Sequence, residues 1–124
     1  MEETPRFFRI ALLLILALAV AGIHLEGHAI LKASSPATGG SVIQPDMPVK
    51  LRFNVRVDAA RSKLQLLRPD ASTVELPIGK SPSPDVLVSK LTGLRPGAYV
   101  IRWQVLSSDG HISRGEIPFR VRNP

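Results

Sequence analysis

Three features of the 124-residue chain predict an all-β sandwich. Apolar residues alternate with polar ones in short runs, Pro, Gly, Ser and Asp separate the runs, and beyond His28 no helical periodicity exceeds two turns. A period of two puts one face of each strand in a core and the other in water.

The chain opens differently. Arg6 and Arg9 precede the uncharged apolar run from Ile10 to Ile23, the layout of a secretory signal peptide. The run is shorter than the roughly 20 residues that span a bilayer, so an uncleaved anchor would need Phe7 and Phe8 as extra length. Two cleavage points fit: after Ala19-Val20-Ala21, leaving Gly22 first, or after Gly27, leaving His28 first. The cleavage rule alone does not choose between them. The second divides the chain into a signal peptide, residues 1–27, and one domain, residues 28–124.

Within that domain Ala29 to Ala33 is a weak first strand, followed by the turn residues Ser35-Pro36-Ala37-Thr38-Gly39-Gly40. Val49, Leu51, Phe53, Val55 and Val57 alternate with Lys50, Arg52, Asn54 and Arg56, which predicts one strand over the whole stretch. Lys63 to Leu67 and Thr73 to Leu76 are strands joined through Arg68-Pro69-Asp70. Gly79 to Asp85 is a polar loop before a strand at Val86 to Leu91, and Arg95-Pro96-Gly97 turns the chain again. Tyr99, Ile101, Trp103 and Val105 mark the next strand; Ile117, Phe119 and Val121 close the domain. About seven strands in so short a chain is the density of an Ig-like Greek-key β-sandwich. The inward aromatics Phe53, Tyr99, Trp103 and Phe119 are its expected core.

Composition narrows the chemistry. The chain has no cysteine, which removes disulfides, thiolate metal sites and cysteine nucleophiles. Lys and Arg number 16 against 10 Asp and Glu, a formal net charge of +6. Export argues against nucleic acid as the reason for that excess. The basic stripe Lys50, Arg52, Arg56 reads first as solvated surface, with anionic lipid or an acidic partner as the sharper alternative. Neither a base dyad nor a phosphate loop suggests an enzyme.

Histidines are scarce, three in the chain, and a cut after Gly27 leaves only His28 and His111. A first-residue histidine offers its amine, which titrates at about 7.7–8.0, and its ring Nδ1 to one metal as a chelate. Asp109-Gly110-His111 places a carboxylate and an imidazole two residues apart, so both side chains can converge on one ion. Such a set of nitrogen and oxygen donors suits Cu(II). The plainer alternative is a solvated Asp-Gly turn with a surface histidine beside it.

The chain resembles the CopC family of exported copper-resistance proteins. The resemblance runs through HAILKASSPATGG, PVKLRFNVRVD and GAYVIRWQVLSSDGHISRGEIPFRV, and so brackets the domain. The family pattern is matched by His28, Ala29, Leu31, Ser35, Pro36, Ala37, Gly39, Ser107, Asp109, Gly110, His111, Gly115 and Phe119. The resemblance implies one Cu(II) held by the amine and ring of His28 with Asp109 and His111, and it selects the cut after Gly27. It implies a periplasmic protein of copper sequestration, transfer or resistance, with an inner-membrane copper transport protein as candidate partner. Two departures stand out. Asn54-Val55-Arg56 lacks the acidic residue and proline many members carry there, and with Met47 the only methionine beyond the signal segment, no thioether site for Cu(I) is supported. Two other readings remain: a copper-dependent oxidase or monooxygenase with a histidine brace, and a metal-free Ig-like interaction module.

Overall fold

The computed structural model describes residues 28–124; the predicted signal segment lies outside them. Among the described residues eight strands run in the order β1 (Leu31–Ser35), β2 (Gly40–Val42), β3 (Met47–Phe53), β4 (Lys63–Leu67), β5 (Thr73–Leu76), β6 (Val86–Leu91), β7 (Gly97–Leu106) and β8 (Ile112–Val121). They form two sheets, β1-β3-β6 and β2-β8-β7-β4-β5. All strand pairs are antiparallel except β2 with β8. Only the β4–β5 and β7–β8 connections stay within one sheet, so the remaining links cross between the layers and tie them together. The predicted all-β sandwich is the observed fold.

The alternation does what the sequence implies. Val49, Leu51 and Phe53 of β3 are buried while Lys50 and Arg52 are exposed, and Tyr99, Ile101, Trp103 and Val105 of β7 point inward. All four expected core aromatics are buried. Phe53 meets Trp103 edge to face at 5.2 Å between ring centres, and Tyr99 stacks on Phe119 at 5.5 Å. The Tyr99 hydroxyl accepts from the Arg95 N–H at 3.0 Å and donates to the Arg95 carbonyl at 2.9 Å, so the polar end of a buried ring is satisfied.

The structure departs from the sequence expectation in three places. The third strand ends at Phe53 rather than continuing to Val57. Asn54 turns away to hold the N-terminal segment, Val57 makes an isolated bridge to Ser107, and Asp58 caps a 3-10 turn, Ala59–Arg61, with its carboxylate. Arg56 therefore does not share a strand face with Lys50 and Arg52. Strand β2 was not expected, since its three residues open on a glycine in a stretch rich in turn formers. The first strand starts at Leu31, because Ala29 and Ile30 are engaged in contacts outside the ladder.

Candidate metal centre

The predicted Asp-Gly-His corner is the tip of the β7–β8 hairpin. The last ladder pair is Leu106 with Ile112, and Ser107 to His111 close the loop. The Ser107 N–H donates to the His111 carbonyl at 2.8 Å, and the Gly110 N–H to the Ser107 carbonyl at 2.9 Å. Gly110 has φ +93, a conformation that any residue with a Cβ would adopt only under strain. That one glycine lets the chain fold back so tightly that residues 109 and 111 face each other. The loop is anchored from the side by the Ser108 N–H on the Arg56 carbonyl at 3.0 Å. Ser107 itself is buried, so the corner rests on a fixed base.

Asp109 Oδ1 lies 3.1 Å from His111 Nδ1, with both side chains about half exposed. The same oxygen accepts from the His111 N–H at 3.3 Å and from the Ser107 hydroxyl. These donors favour the ionised carboxylate: the Ser107 hydroxyl first, then the His111 ring, hold the Asp109 carboxyl below the ordinary aspartate range. A lowered folded value means the carboxylate's stabilising contacts are fully present above the ordinary range and are lost as pH falls through the folded midpoint. Carboxyl NMR titration should therefore give Asp109 a midpoint below that of an exposed aspartate, and Ser107→Ala should move it up. An unmoved midpoint would show that Ser107 does not support the corner.

His28, more than eighty residues away along the chain, reaches this corner from the start of the domain sequence. Three hydrogen bonds guide it: the Ala29 N–H to Ser113 Oγ at 3.1 Å, the Ile30 N–H to Asn54 Oδ1 at 2.7 Å, and the Asn54 N–H to the Ile30 carbonyl at 3.0 Å. Ala29 is buried beneath them. Because Ser113 belongs to β8 and Asn54 follows β3, the N-terminal segment is stitched to both sheets at one end of the sandwich. The ring of His28 then stands 5.5 Å from the ring of His111, tilted by 59°.

All three residues singled out in the sequence thus meet at one end of the molecule. Among the described residues no three His, Asp or Glu side chains already form a closed metal-holding cluster. What exists is a pre-formed pair, Asp109 with His111, and an exposed histidine one ring away. The pair fits a metal: two donors bonded at about 2.0 Å and at right angles stand about 2.8 Å apart, close to the 3.1 Å between Oδ1 and Nδ1. Asn54, Ser107 and Ser113 complete the arrangement as positioning residues. Of these, Asn54 and Ser113 carry no signal in a single sequence, because each acts on a backbone N–H distant along the chain.

The CopC domain family model matches residues 31–122, a span that includes Asp109 and His111 and starts just after His28. The chain is similar in fold and sequence to a CopC from Methylosinus trichosporium OB3b, with 35% identity, 77% of this chain and 95% of that one covered, and a TM-score of 0.72. It is likewise similar to PcoC, a methionine-rich copper resistance protein from Escherichia coli, at 25% identity over 77% of this chain and 99% of that one, with a TM-score of 0.66. Along almost its full length, 98% of the chain, it is 28% identical to protein YobA of Escherichia coli K12, all of which is covered.

Proposed function

The chain belongs to the CopC family, and from that premise we propose that it is an exported, periplasmic protein that binds one Cu(II) through His28, Asp109 and His111. The observation that carries this reading is the meeting of His28 and His111, 5.5 Å apart between ring centres, beside a carboxylate that the fold keeps ionised. The seating of Ala29 and Ile30 on Ser113 and Asn54 delivers the exposed His28 ring beside the hairpin tip, and none of the three side chains belongs to the core. Two imidazoles, a carboxylate and an amine freed by cleavage after Gly27 make a nitrogen-rich tetragonal set, the surroundings Cu(II) prefers.

Copper is cargo here rather than a reagent. The protein's task in this reading is sequestration or hand-over to a membrane copper transporter. It also differs from its methionine-rich neighbour, for Met47 is partly buried and packed against the core. The handling of Cu(I) by a thioether cluster has no support in this chain.

Copper titration of His111→Ala tests the reading. The variant should bind Cu(II) at least tenfold more weakly, while its melting temperature without metal stays within a few degrees because His111 buries little. Unchanged affinity would remove the hairpin tip from the site.

A further inference from the structure

The outer face of the three-stranded sheet carries a groove of about 590 Å³, within the roughly 300–1,000 Å³ typical of small-molecule sites. It arises from side-chain size. On β1 the outward positions opposite Arg52 and Lys50 are only Ala33 and Ser35. On the other flank the segment Pro77 to Gly79 rises beside β6, pinned by the Gly79 N–H on the Val88 carbonyl at 2.9 Å and by Ser89 Oγ on the Pro77 carbonyl at 2.6 Å. Pro48, Pro77, Ile78 and Val88 give the groove its apolar lining, and Lys50 and Lys90 also line it. Lys50 pairs with Val88 and Pro48 with Lys90, so the two lysines are diagonal neighbours on one face, roughly 7–8 Å apart at the backbone. Among the described residues neither has an acid within ion-pair distance; the nearest influence is Asp85, whose carboxyl is lowered chiefly by the Ser83 hydroxyl and to a lesser degree by the charges of Arg52 and Lys50.

We propose that this groove binds a single-chain anionic amphiphile, its hydrocarbon tail on Pro48, Ile78 and Val88 and its head between Lys50 and Lys90. The charges argue for an anion and against a second copy of the chain, since two such faces would set lysines and Arg52 against their like. The lining argues against a peptide. A peptide brings backbone N–H and C=O groups that need partners when buried, yet prolines supply no N–H and the Ser89 hydroxyl is already committed to Pro77. A hydrocarbon chain makes no such demand. The groove lies along the start of β3, whereas the candidate metal centre lies beyond its end at Asn54, so the two sites are separable by experiment.

Calorimetric titration with dodecanoate below its micelle-forming concentration provides the test, with dodecyltrimethylammonium as the same tail under the opposite charge. Dodecanoate should bind at least tenfold more tightly than the cation. Lys50→Gln with Lys90→Gln should cost dodecanoate at least tenfold while leaving the melting temperature and copper titration unchanged, and Ile78→Asp should weaken both amphiphiles. Equal binding of the two amphiphiles, or dodecanoate binding that ignores the double substitution, would overturn the proposal. So would adsorption to phosphatidylglycerol vesicles without binding of monomeric dodecanoate, which would make the face a membrane-contact surface.

Discussion

Gly115→Ala should lower stability by at least about 2 kcal/mol, although the substitution adds a single methyl group. Gly115 sits on β8 directly opposite Trp103 of β7, with its α-carbon on the inner face of the sheet. A Cβ there would stand 2.3 Å from Trp103 Cζ2, 2.5 Å from Cε2 and 2.8 Å from Nε1, far inside contact distance. The indole also meets Phe53 edge to face at 5.2 Å between ring centres, and Phe53 is fully enclosed, so any shift of the ring disturbs a second core aromatic. Packing alone holds the ring, for its Nε1 is buried without a hydrogen-bond partner among the described residues. The alanine's lower unfolded-state entropy returns only about 0.4–1 kcal/mol. In a domain of this size the net loss corresponds to a fall of about 10 °C in melting temperature. Trp103→Leu in the same chain should recover part of it, since the clash and the ring are one interaction. A Gly115→Ala melt within 2 °C or so of the parent would mean that the hairpin gives way at little cost and that the glycine has no packing role.

That glycine illustrates how far the sequence can be read. The strands β4, β5 and β6 are legible to their end residues because each is a short apolar-rich run set off by turn formers, Arg68-Pro69-Asp70 after β4, Pro77 after β5 and Pro84-Asp85 before β6. The end of β3 is not legible. Asn54, Val55 and Arg56 continue the alternation, and only the pairing of Asn54 with Ile30 explains why the chain turns off there. Nor is β2 legible, since three residues alongside β8 carry no periodicity of their own. Parallel pairing of so short a segment is decided by the rest of the fold.

The candidate site divides in the same way. Asp109, Gly110 and His111 are adjacent, and local chemistry suffices to see that a glycine with positive φ can turn the carboxylate toward the ring. The proximity of His28 to that corner is a tertiary fact. It depends on Ser113 and Asn54 each catching one backbone N–H of the N-terminal segment, and a serine or asparagine in a strand-rich sequence has too many commonplace uses to reveal this one. The family resemblance supplied what spacing alone could not, by linking the first residue of the proposed processed chain to the Asp-Gly-His motif.

Placing one glycine in front of a chain that starts at His28 should weaken Cu(II) binding by at least about tenfold, or some 1.4 kcal/mol. Every side chain remains, yet the free amine becomes an amide whose nitrogen is a poor donor until it loses a far less acidic proton. The free amine moves to the added residue, so the His28 ring can share a metal with it only by way of a deprotonated backbone amide, a different donor set from that of a chain starting at His28. A chain starting at Gly22, the product of the alternative cleavage, likewise ties the His28 nitrogen into an amide but keeps His24 as a third imidazole, so it is titrated with His24→Ala in place. Folding should be indifferent to both additions. The bonds that seat the segment use the N–H groups of Ala29 and Ile30 and the Ile30 carbonyl, and the exposed His28 side chain contributes nothing to the core. Copper competition titrations of the three forms, with melts recorded in the absence of metal, separate the possibilities. Loss of affinity with unchanged melting temperature is the expected result and makes processing part of site assembly. Equal affinity in all three would exclude the amine as a ligand, and a lower melting temperature in the extended forms would trace any loss to the seating of the strand instead of to the donor set.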